Sequence, residues 1–293
     1  MTEEQQTAVR PAEQVGREVP PAGAQVTPEA PPAPVHGDHK GRGALRAALR
    51  WTTAVVVFAV VGAATAYGLT RLERTDVPGL STESDGRWEY PALTRPPLPS
   101  GSPGPFAEAD KAGTHHADLR ALLLPAPAGA QDDRTLRGTD GWLARKDFLA
   151  EYAAKDDRAE LGRHLTDHGL RHIAARGWSM PDGTRTRIYL LQFDTAAVVD
   201  ALLGPYLAPY SAPKFPLRGA ATSGNDRTFP QEALVQDVQR VVYDEAGPHG
   251  GEQVRHAYLA AGDTLALVVH SRKGGARAVP FQQTVTLQSQ LLG

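Results

Sequence analysis

The feature that most constrains this chain is an uncharged apolar run, WTTAVVVFAVVGAATAYGLT, at residues 51–70. In a helix that rises about 1.5 Å per residue, this run is roughly 30 Å long, which matches the hydrocarbon thickness of a bilayer. Trp51 and Tyr67 lie near its ends, where amphipathic rings favour the membrane interface. A buried core helix is the alternative, but the run has no polar stripe and basic residues flank it. The run therefore predicts one transmembrane helix.

A cleaved signal peptide is a second interpretation of this run, because Ala64-Thr65-Ala66 fits the small-residue cleavage pattern. The basic region begins only at Lys40, however, whereas signal peptides are usually complete within about 30 residues. We therefore expect an uncleaved signal anchor. Lys40, Arg42, Arg46 and Arg50 precede the run closely, whereas Arg71, Arg74 and Arg87 are spread out after it. This bias favours a cytoplasmic N-terminus and a C-terminal part outside the cytoplasm.

Two segments flanking the apolar run have compositions that do not favour a packed core. Residues 1–35 are rich in Pro, Ala, Glu and Gln, so we expect residues 1–50 to form a disordered cytoplasmic tail with a basic juxtamembrane segment. Seven prolines lie between residues 75 and 116. Residues 71–116 are therefore predicted to be a Pro-rich stalk, either an extended spacer or a flexible linker. The folded domain is expected to span residues 117–293.

Within residues 117–293, changes of hydrophobic period predict an α+β fold. Two helices are expected over residues 141–168, the second starting near a capping box at Asp157. A further helix is expected to start at Asp194 and to end at Gly204-Pro205. The C-terminal stretch VPFQQTVTLQSQLLG favours a helix entered by Pro280, although TVTLQSQL also alternates as a strand does.

Strand-like runs separate these predicted helices. The turn at residues 181–183 predicts a β-hairpin over 171–178 and 185–193, and Gly262-Asp263 predicts a second hairpin. VQRVVYDE is one further expected strand. Together these runs predict an antiparallel sheet of about five strands with helices packed on it.

Three histidines four residues apart, His164, His168 and His172, raise the question of a metal site. On one unbroken helix the first and the last would be about 12 Å apart along the axis, too far for a single zinc ion. Gly169 also lies where a helix C-terminus favours glycine. We therefore expect a helix that ends near His168 and a strand that includes His172, and we predict no metal site.

The remaining sequence carries no signature of catalysis. The chain has no cysteine, no Gly-x-Ser-x-Gly elbow and no phosphate-binding glycine loop. Its net charge of −2 gives no overall field that would favour nucleic acid. We expect no catalytic residue, no cofactor and no nucleic-acid partner.

Two features favour binding instead. If Arg176, Arg185 and Arg187 share one face of the first hairpin, they suit an anionic ligand such as a wall polymer or a lipid headgroup. An ordinary solvated face is the alternative interpretation. Tyr206 and Tyr210, in a proline-rich loop, are expected to line a groove or a partner interface, unless the rings of the loop pack onto the core.

Three stretches carry a resemblance to known proteins: DLRALLLPAPAGA, LTDHGLRHIAARGWSMPDGTRTRIYLLQF and VPFQQTVTLQSQLLG. The chain resembles actinobacterial, Streptomyces-type single-pass membrane proteins of uncharacterised function. Its preference for arginine, with only six lysines among 31 basic residues, is typical of a GC-rich genome. The resemblance implies an extracytoplasmic domain and no activity.

We therefore expect a non-enzymatic, membrane-anchored binding domain of the cell envelope. Its expected partners are the bilayer, through residues 51–70, and an envelope polymer or a membrane protein. An envelope enzyme without a recognisable motif is one alternative. The other is a transmembrane scaffold or sensor that signals through its cytoplasmic tail.

Overall fold

The structure is a computed structural model of the chain, and it describes residues 40–71, 84–220, 222–247 and 250–293. The chain divides into two compact units, Met1–Leu80 and Ser81–Gly293. The predicted tail over residues 1–39 and the predicted stalk over residues 72–83 lie outside the described residues.

The first unit contains helix α1, Lys40–Arg71. Its segment Ala48–Gly68 is long and apolar enough to cross a membrane, and none of that segment is buried. The apolar run thus forms the predicted helix, but the helix begins eleven residues earlier than residue 51. The prediction of disorder is therefore wrong for residues 40–50, where Ala, Leu and Arg are good helix formers.

The second unit is built on one seven-stranded sheet in the order β1-β2-β3-β7-β6-β5-β4. The strands are β1 Gln131–Asp132, β2 His172–Ser179, β3 Arg185–Gln192, β4 Ser223–Asn225, β5 Gln239–Glu245, β6 Gln253–Ala261 and β7 Thr264–Arg272. Every neighbouring pair is antiparallel. The α+β prediction is confirmed, and the two strands beyond the expected five are the short edge strands β1 and β4.

Both predicted hairpins are confirmed. Gly183 and Gly262 turn them with positive φ of 83° and 50°, a region that glycine enters without steric cost. The long non-local pair β3 and β7 then joins the two hairpins at the centre of the sheet.

Helices cover both faces of the sheet, because both faces are apolar. One face packs against helices α2 Arg145–Leu149, α3 Lys155–Asp167 and α4 Ala196–Leu202 through residues such as Phe148, Leu161, Leu165, Val199 and Leu202. The other face packs against α5 Ala278–Leu292 through Phe281 and Val285. The described folded unit is therefore a three-layer arrangement with the sheet in the middle.

Several predicted helix boundaries differ from the structure. Helix α3 begins at Lys155 after Ala154, with no side-chain cap, so the predicted capping box at Asp157 is wrong. Helix α4 follows Thr195 rather than Asp194, and a π-helical turn, Leu203–Leu207, carries the chain through Gly204-Pro205. A proline costs little at that position because its missing N–H falls in a turn that already departs from α-helical hydrogen bonding.

The predicted change of structure among the three histidines is confirmed. Helix α3 ends at Asp167, His168 is its C-cap, and Gly169 follows with a φ of 71°. His172 is the first residue of β2. The equal spacing of the histidines therefore crosses from a helix into a strand.

The predicted domain start at residue 117 needs correction, because residues 84–116 belong to the folded unit. The main chain of Trp88 exchanges two hydrogen bonds with the amide of Gln283, and its ring stacks on His270 at 5.3 Å. His115 is buried between the Asp263 carboxylate and the Leu292 carbonyl. Proline-rich composition predicted extended chain here, but isolated aromatic and histidine side chains fix this chain to the domain.

Candidate functional site

An open cleft of about 800 Å³ lies at the end of the sheet where β2 finishes and β3 begins. We call it the polar cleft. Its polar and aromatic walls are formed by Asp132, Asp133, Glu151, Trp178, Arg185, Arg187, Arg218, Glu252 and Ser271. The antiparallel register brings these residues together, because Arg185 and Arg187 of β3 lie beside Ser271 and Val269 of β7.

Glu151 organises one wall of the polar cleft. Its carboxylate accepts hydrogen bonds from Arg187 Nε at 3.0 Å and from the Tyr189 hydroxyl at 2.8 Å. Burial, together with the nearby Glu151 charge, raises the pKa of Tyr189 above its usual range, so the hydroxyl keeps its proton and donates. The Glu151–Arg187 pair is almost fully buried, with side-chain exposures of 11% and 16%.

A second ion pair forms the opposite wall. Arg185 Nη2 contacts both carboxylate oxygens of Glu252, at 2.6 and 2.7 Å. Burial alone would raise the pKa of Glu252, but the hydrogen bond and charge of Arg185 outweigh it and lower that pKa. Both β3 arginines therefore enter the cleft with their charges already balanced by carboxylates.

The structure does not bring the three predicted arginines onto one face. Arg176 pairs across the ladder with Ile188, and Arg187 pairs with Gly177. Because side chains alternate along a strand, Arg176 lies on the opposite face from Arg185 and Arg187. Its guanidinium donates to the carbonyls of Leu123 and Leu124 instead. The condition for a shared anion site on the hairpin is thus not met.

The two predicted tyrosines lie away from the polar cleft. The ring of Tyr206 packs on His164, with centroids 4.5 Å apart, and Lys214 Nζ lies 5.6 Å from its centroid. Tyr210 is 70% exposed. The loop does pack its third ring, Phe215, into the core, as the alternative interpretation expected. A role of Tyr206 and Tyr210 in binding stays a prediction.

Sequence reasoning missed the acidic half of the cleft, Glu151 and Glu252, and also Arg218. No local motif marks them, since they come from the end of α2 and from two loops. Only the tertiary register places them opposite β3. Within the described ranges, no group of three or more His, Cys, Asp or Glu is arranged to hold a metal ion.

Comparison with known proteins adds little to this description. No family model and no curated protein matches the chain. Among solved structures, the chain is similar to the extracellular domain of PknH from Mycobacterium tuberculosis over 49% of its own length and 72% of that domain, with 13% identity and a TM-score of 0.30. A TM-score this low supports neither a fold nor a function.

Proposed function

We propose that this chain is a membrane-anchored protein whose folded unit lies outside the cytoplasm and binds an envelope glycan in the polar cleft. The observation that carries the proposal is the exposed, apolar helix segment Ala48–Gly68, uncharged from Trp51 onward, ahead of a folded α+β domain. The resemblance to actinobacterial single-pass proteins agrees with this layout.

The anchoring role follows from the surface of α1. Trp51, Val55 and Phe58 are 74%, 64% and 82% exposed, and apolar surface left in water costs about 25 cal/mol per Å². A continuous apolar surface of this kind favours a membrane or another protein as its covering. Basic residues at both ends of the segment favour the membrane, with the more densely basic end in the cytoplasm.

The ligand class follows from the balanced charge of the cleft. Arg185 and Arg187 are each paired with a carboxylate, so the cleft offers fixed donors and acceptors without a strong net field. Neutral polyhydroxylated chains, such as the glycans of a cell wall, match closely spaced donors and acceptors whose charges are balanced.

Sidedness tests the anchoring part of the proposal. Because the chain has no cysteine, single substitutions Lys273→Cys and Thr7→Cys each introduce the only thiol. Lys273 is exposed on the folded unit. We expect a membrane-impermeant maleimide to label Lys273→Cys in intact cells, and Thr7→Cys only after permeabilisation. The reverse pattern contradicts the proposed orientation.

Ligand binding is tested with the full chain in a non-ionic detergent and a soluble fragment of the peptidoglycan glycan strand as the probe. We expect saturable binding that Arg185→Gln weakens and that Lys155→Gln, an exposed change on α3, leaves unchanged. Equal binding by both variants contradicts the assignment to the cleft. Consumption of the probe in this assay favours the enzyme alternative. In a separate experiment in cells, a changed phenotype on deletion of residues 1–35 favours the scaffold alternative.

A further inference from the structure

A second, smaller cavity lies at the outer edge of β2, just beyond the end of β1. The Asp133 N–H donates to the Gly177 carbonyl at 2.8 Å, and the Leu143 N–H donates to the Ile173 carbonyl at 2.8 Å. Between these two bonds the edge of β2 faces a cavity of about 400 Å³, which we call the arginine pocket. Three arginines line it, Arg120, Arg137 and Arg176, together with two aspartates, Asp132 and Asp133. The Asp133 carboxylate is occupied by the main-chain N–H and the hydroxyl of Thr135.

Two of these arginines have partners that neutralise them. Arg120 forms a bidentate pair with Asp118 and lies over the Trp142 ring at 4.9 Å. Arg137 pairs with Asp132. Their charges are therefore balanced, and Arg120 Nη1 also donates to the Asp140 carbonyl.

Arg176 is different. It is partly buried, and in the described part of the chain its guanidinium makes hydrogen bonds only to the Leu123 and Leu124 carbonyls, both at 3.2 Å from Nη1. Carbonyls orient the side chain but do not neutralise it. Asp132 attracts it, but Arg137 repels it and already holds that aspartate. Burial lowers the pKa of Arg176, yet an arginine stays cationic in a protein, so a partly desolvated positive charge is left without a partner anion.

The strand edge adds a main-chain donor beside this charge. The carbonyls of Ile173 and Gly177 point to the outer edge, and main-chain groups alternate along an antiparallel strand. The N–H of Ala175, midway between them, is therefore directed to the same edge, where Ala175 lines the pocket. The same alternation directs the Ala175 carbonyl to this edge. Donors thus reach the cavity from the Ala175 N–H and from the guanidinium groups of Arg176 and Arg137.

We propose that the arginine pocket binds a phosphate group, free or ester-linked, with Arg176 as the central contact and Ala175 N–H and Arg137 as additional donors. Donors from several directions suit the oxygens of a tetrahedral anion better than the two coplanar oxygens of a carboxylate. The guanidinium of Arg176 keeps its Nε and Nη2 groups for such an anion. This site adjoins the polar cleft, with which it shares Asp132 and Asp133, but it does not depend on the proposed glycan binding or on sidedness.

The experiment uses the full chain in a non-ionic detergent, titrated with inorganic phosphate at constant ionic strength maintained by chloride. We expect saturable binding and a melting temperature that rises with phosphate. Arg176→Gln is expected to weaken binding about tenfold or more, the usual effect of losing a charge-assisted hydrogen bond. Arg137→Gln is expected to weaken it less and serves as the second variant if Arg176→Gln does not fold.

Arg158→Gln is the matched control. Among the described residues, Arg158 also donates only to two main-chain carbonyls, those of Ala153 and Ala154, but it lies on α3 and lines neither cavity. We expect unchanged phosphate affinity in this variant. Equal weakening by Arg158→Gln and Arg176→Gln, or no saturable binding by the unaltered chain, overturns the proposal.

Three further probes identify the source of the phosphate. Glycerol 3-phosphate that binds more tightly than inorganic phosphate supports a phosphomonoester ligand. Glycerophosphoglycerol that binds more tightly than inorganic phosphate supports a lipid headgroup or a phosphodiester polymer. Acetate that binds as tightly as phosphate overturns the assignment to a tetrahedral anion.

Discussion

At the scale of single residues, the order of the polar cleft depends on Glu151. Its carboxylate is the partner of Arg187 and of the Tyr189 hydroxyl. Glu151→Gln leaves the Arg187 charge buried without a counterion, so we expect the free energy of unfolding to fall by about 3 kcal/mol. Urea unfolding followed by tryptophan fluorescence measures this change. Glu160→Gln, which removes an exposed pair with Lys214, is expected to be nearly neutral, and equal losses in the two variants would contradict the buried-pair interpretation.

Two buried histidines give the fold a predictable pH dependence. Burial lowers the pKa of His256 and of His270 to about 3. Unfolded histidines titrate near pH 6.5. Below that pH the unfolded chain binds protons that the folded chain does not, so stability is lost as the pH falls from about 6.5 toward 3. Each histidine contributes at most about 1.4 kcal/mol per pH unit in this window.

The slope of stability against pH tests this effect. In the unaltered protein the rings of His256 and Tyr243 stack with centroids 5.0 Å apart. His256→Phe keeps an aromatic ring at this position but removes the titrating group. We expect the loss of stability between about pH 6.5 and pH 5 to shrink in this variant, by at most about 1.4 kcal/mol per pH unit. His172→Phe changes an exposed histidine and should keep the full slope. An unchanged slope in His256→Phe would show that His256 takes up a proton as readily in the folded chain as in the unfolded chain.

The arginines show what the sequence establishes at this scale and what it does not. Their clustering in the first hairpin is visible in the sequence, and so is the alternation that separates Arg176 from Arg187 once the register is known. The carboxylates that neutralise these arginines cannot be identified from the sequence. Glu151 and Glu252 lie 36 and 67 residues from the arginines they contact, and only the packed sheet brings them together.

At the scale of elements, local signals located the features whose cause is local. Gly169, Gly183 and Gly262 each adopt a positive φ, and each marks a turn expected from the sequence. Strands β1 and β4, only two and three residues long, have no periodic pattern and exist because a longer neighbour offers a free edge. The caps predicted at Asp157 and Asp194 failed because helix packing, rather than side-chain capping, sets where α3 and α4 begin.

The segment before residue 117 gives a prediction at the same scale. The Gln283 amide of α5 accepts from the Trp88 N–H and donates to the Trp88 carbonyl, both at 2.8 Å. Gln283→Ala removes both bonds, so we expect the segment to detach more often and trypsin to cut faster after Arg87. Gln282→Ala, the adjacent change on α5, makes no such bonds and is the control. Equal cleavage rates in the two variants would contradict a fixed segment.

At the scale of the whole molecule, composition separated the apolar helix from the folded part but misplaced the boundary between them. Prolines at 91, 96, 97, 99, 103 and 105 predict extended chain. Residues 91–99 form neither helix nor turn, but turns follow at residues 100–101 and 105–106. Whether such chain is free or bound is decided by a few side chains, such as Trp88, Tyr90 and His115, whose partners lie more than 140 residues away. No local pattern reports those contacts.

The same scale yields the prediction on which the anchoring proposal depends. Phe58 lies at the middle of Ala48–Gly68, so Phe58→Arg would place a charge at the bilayer centre, at a cost of about 2.5–3.5 kcal/mol on an insertion scale. The segment is rich in Ala, Val, Gly and Thr rather than Leu, so the free energy that favours its insertion into the bilayer is small. We expect Phe58→Arg to move much of the protein into the fraction that alkaline carbonate extracts from membranes.

Thr52→Arg is the matched control, because it adds the same charge beside Arg50, where a long side chain reaches the interface. It should stay in the carbonate-resistant fraction with the unaltered chain. Extraction of the unaltered chain itself would mean that the exposed face of α1 is covered by another protein rather than by lipid. Because the exposed apolar surface needs one covering or the other, this fractionation decides between a membrane anchor and a protein-binding helix.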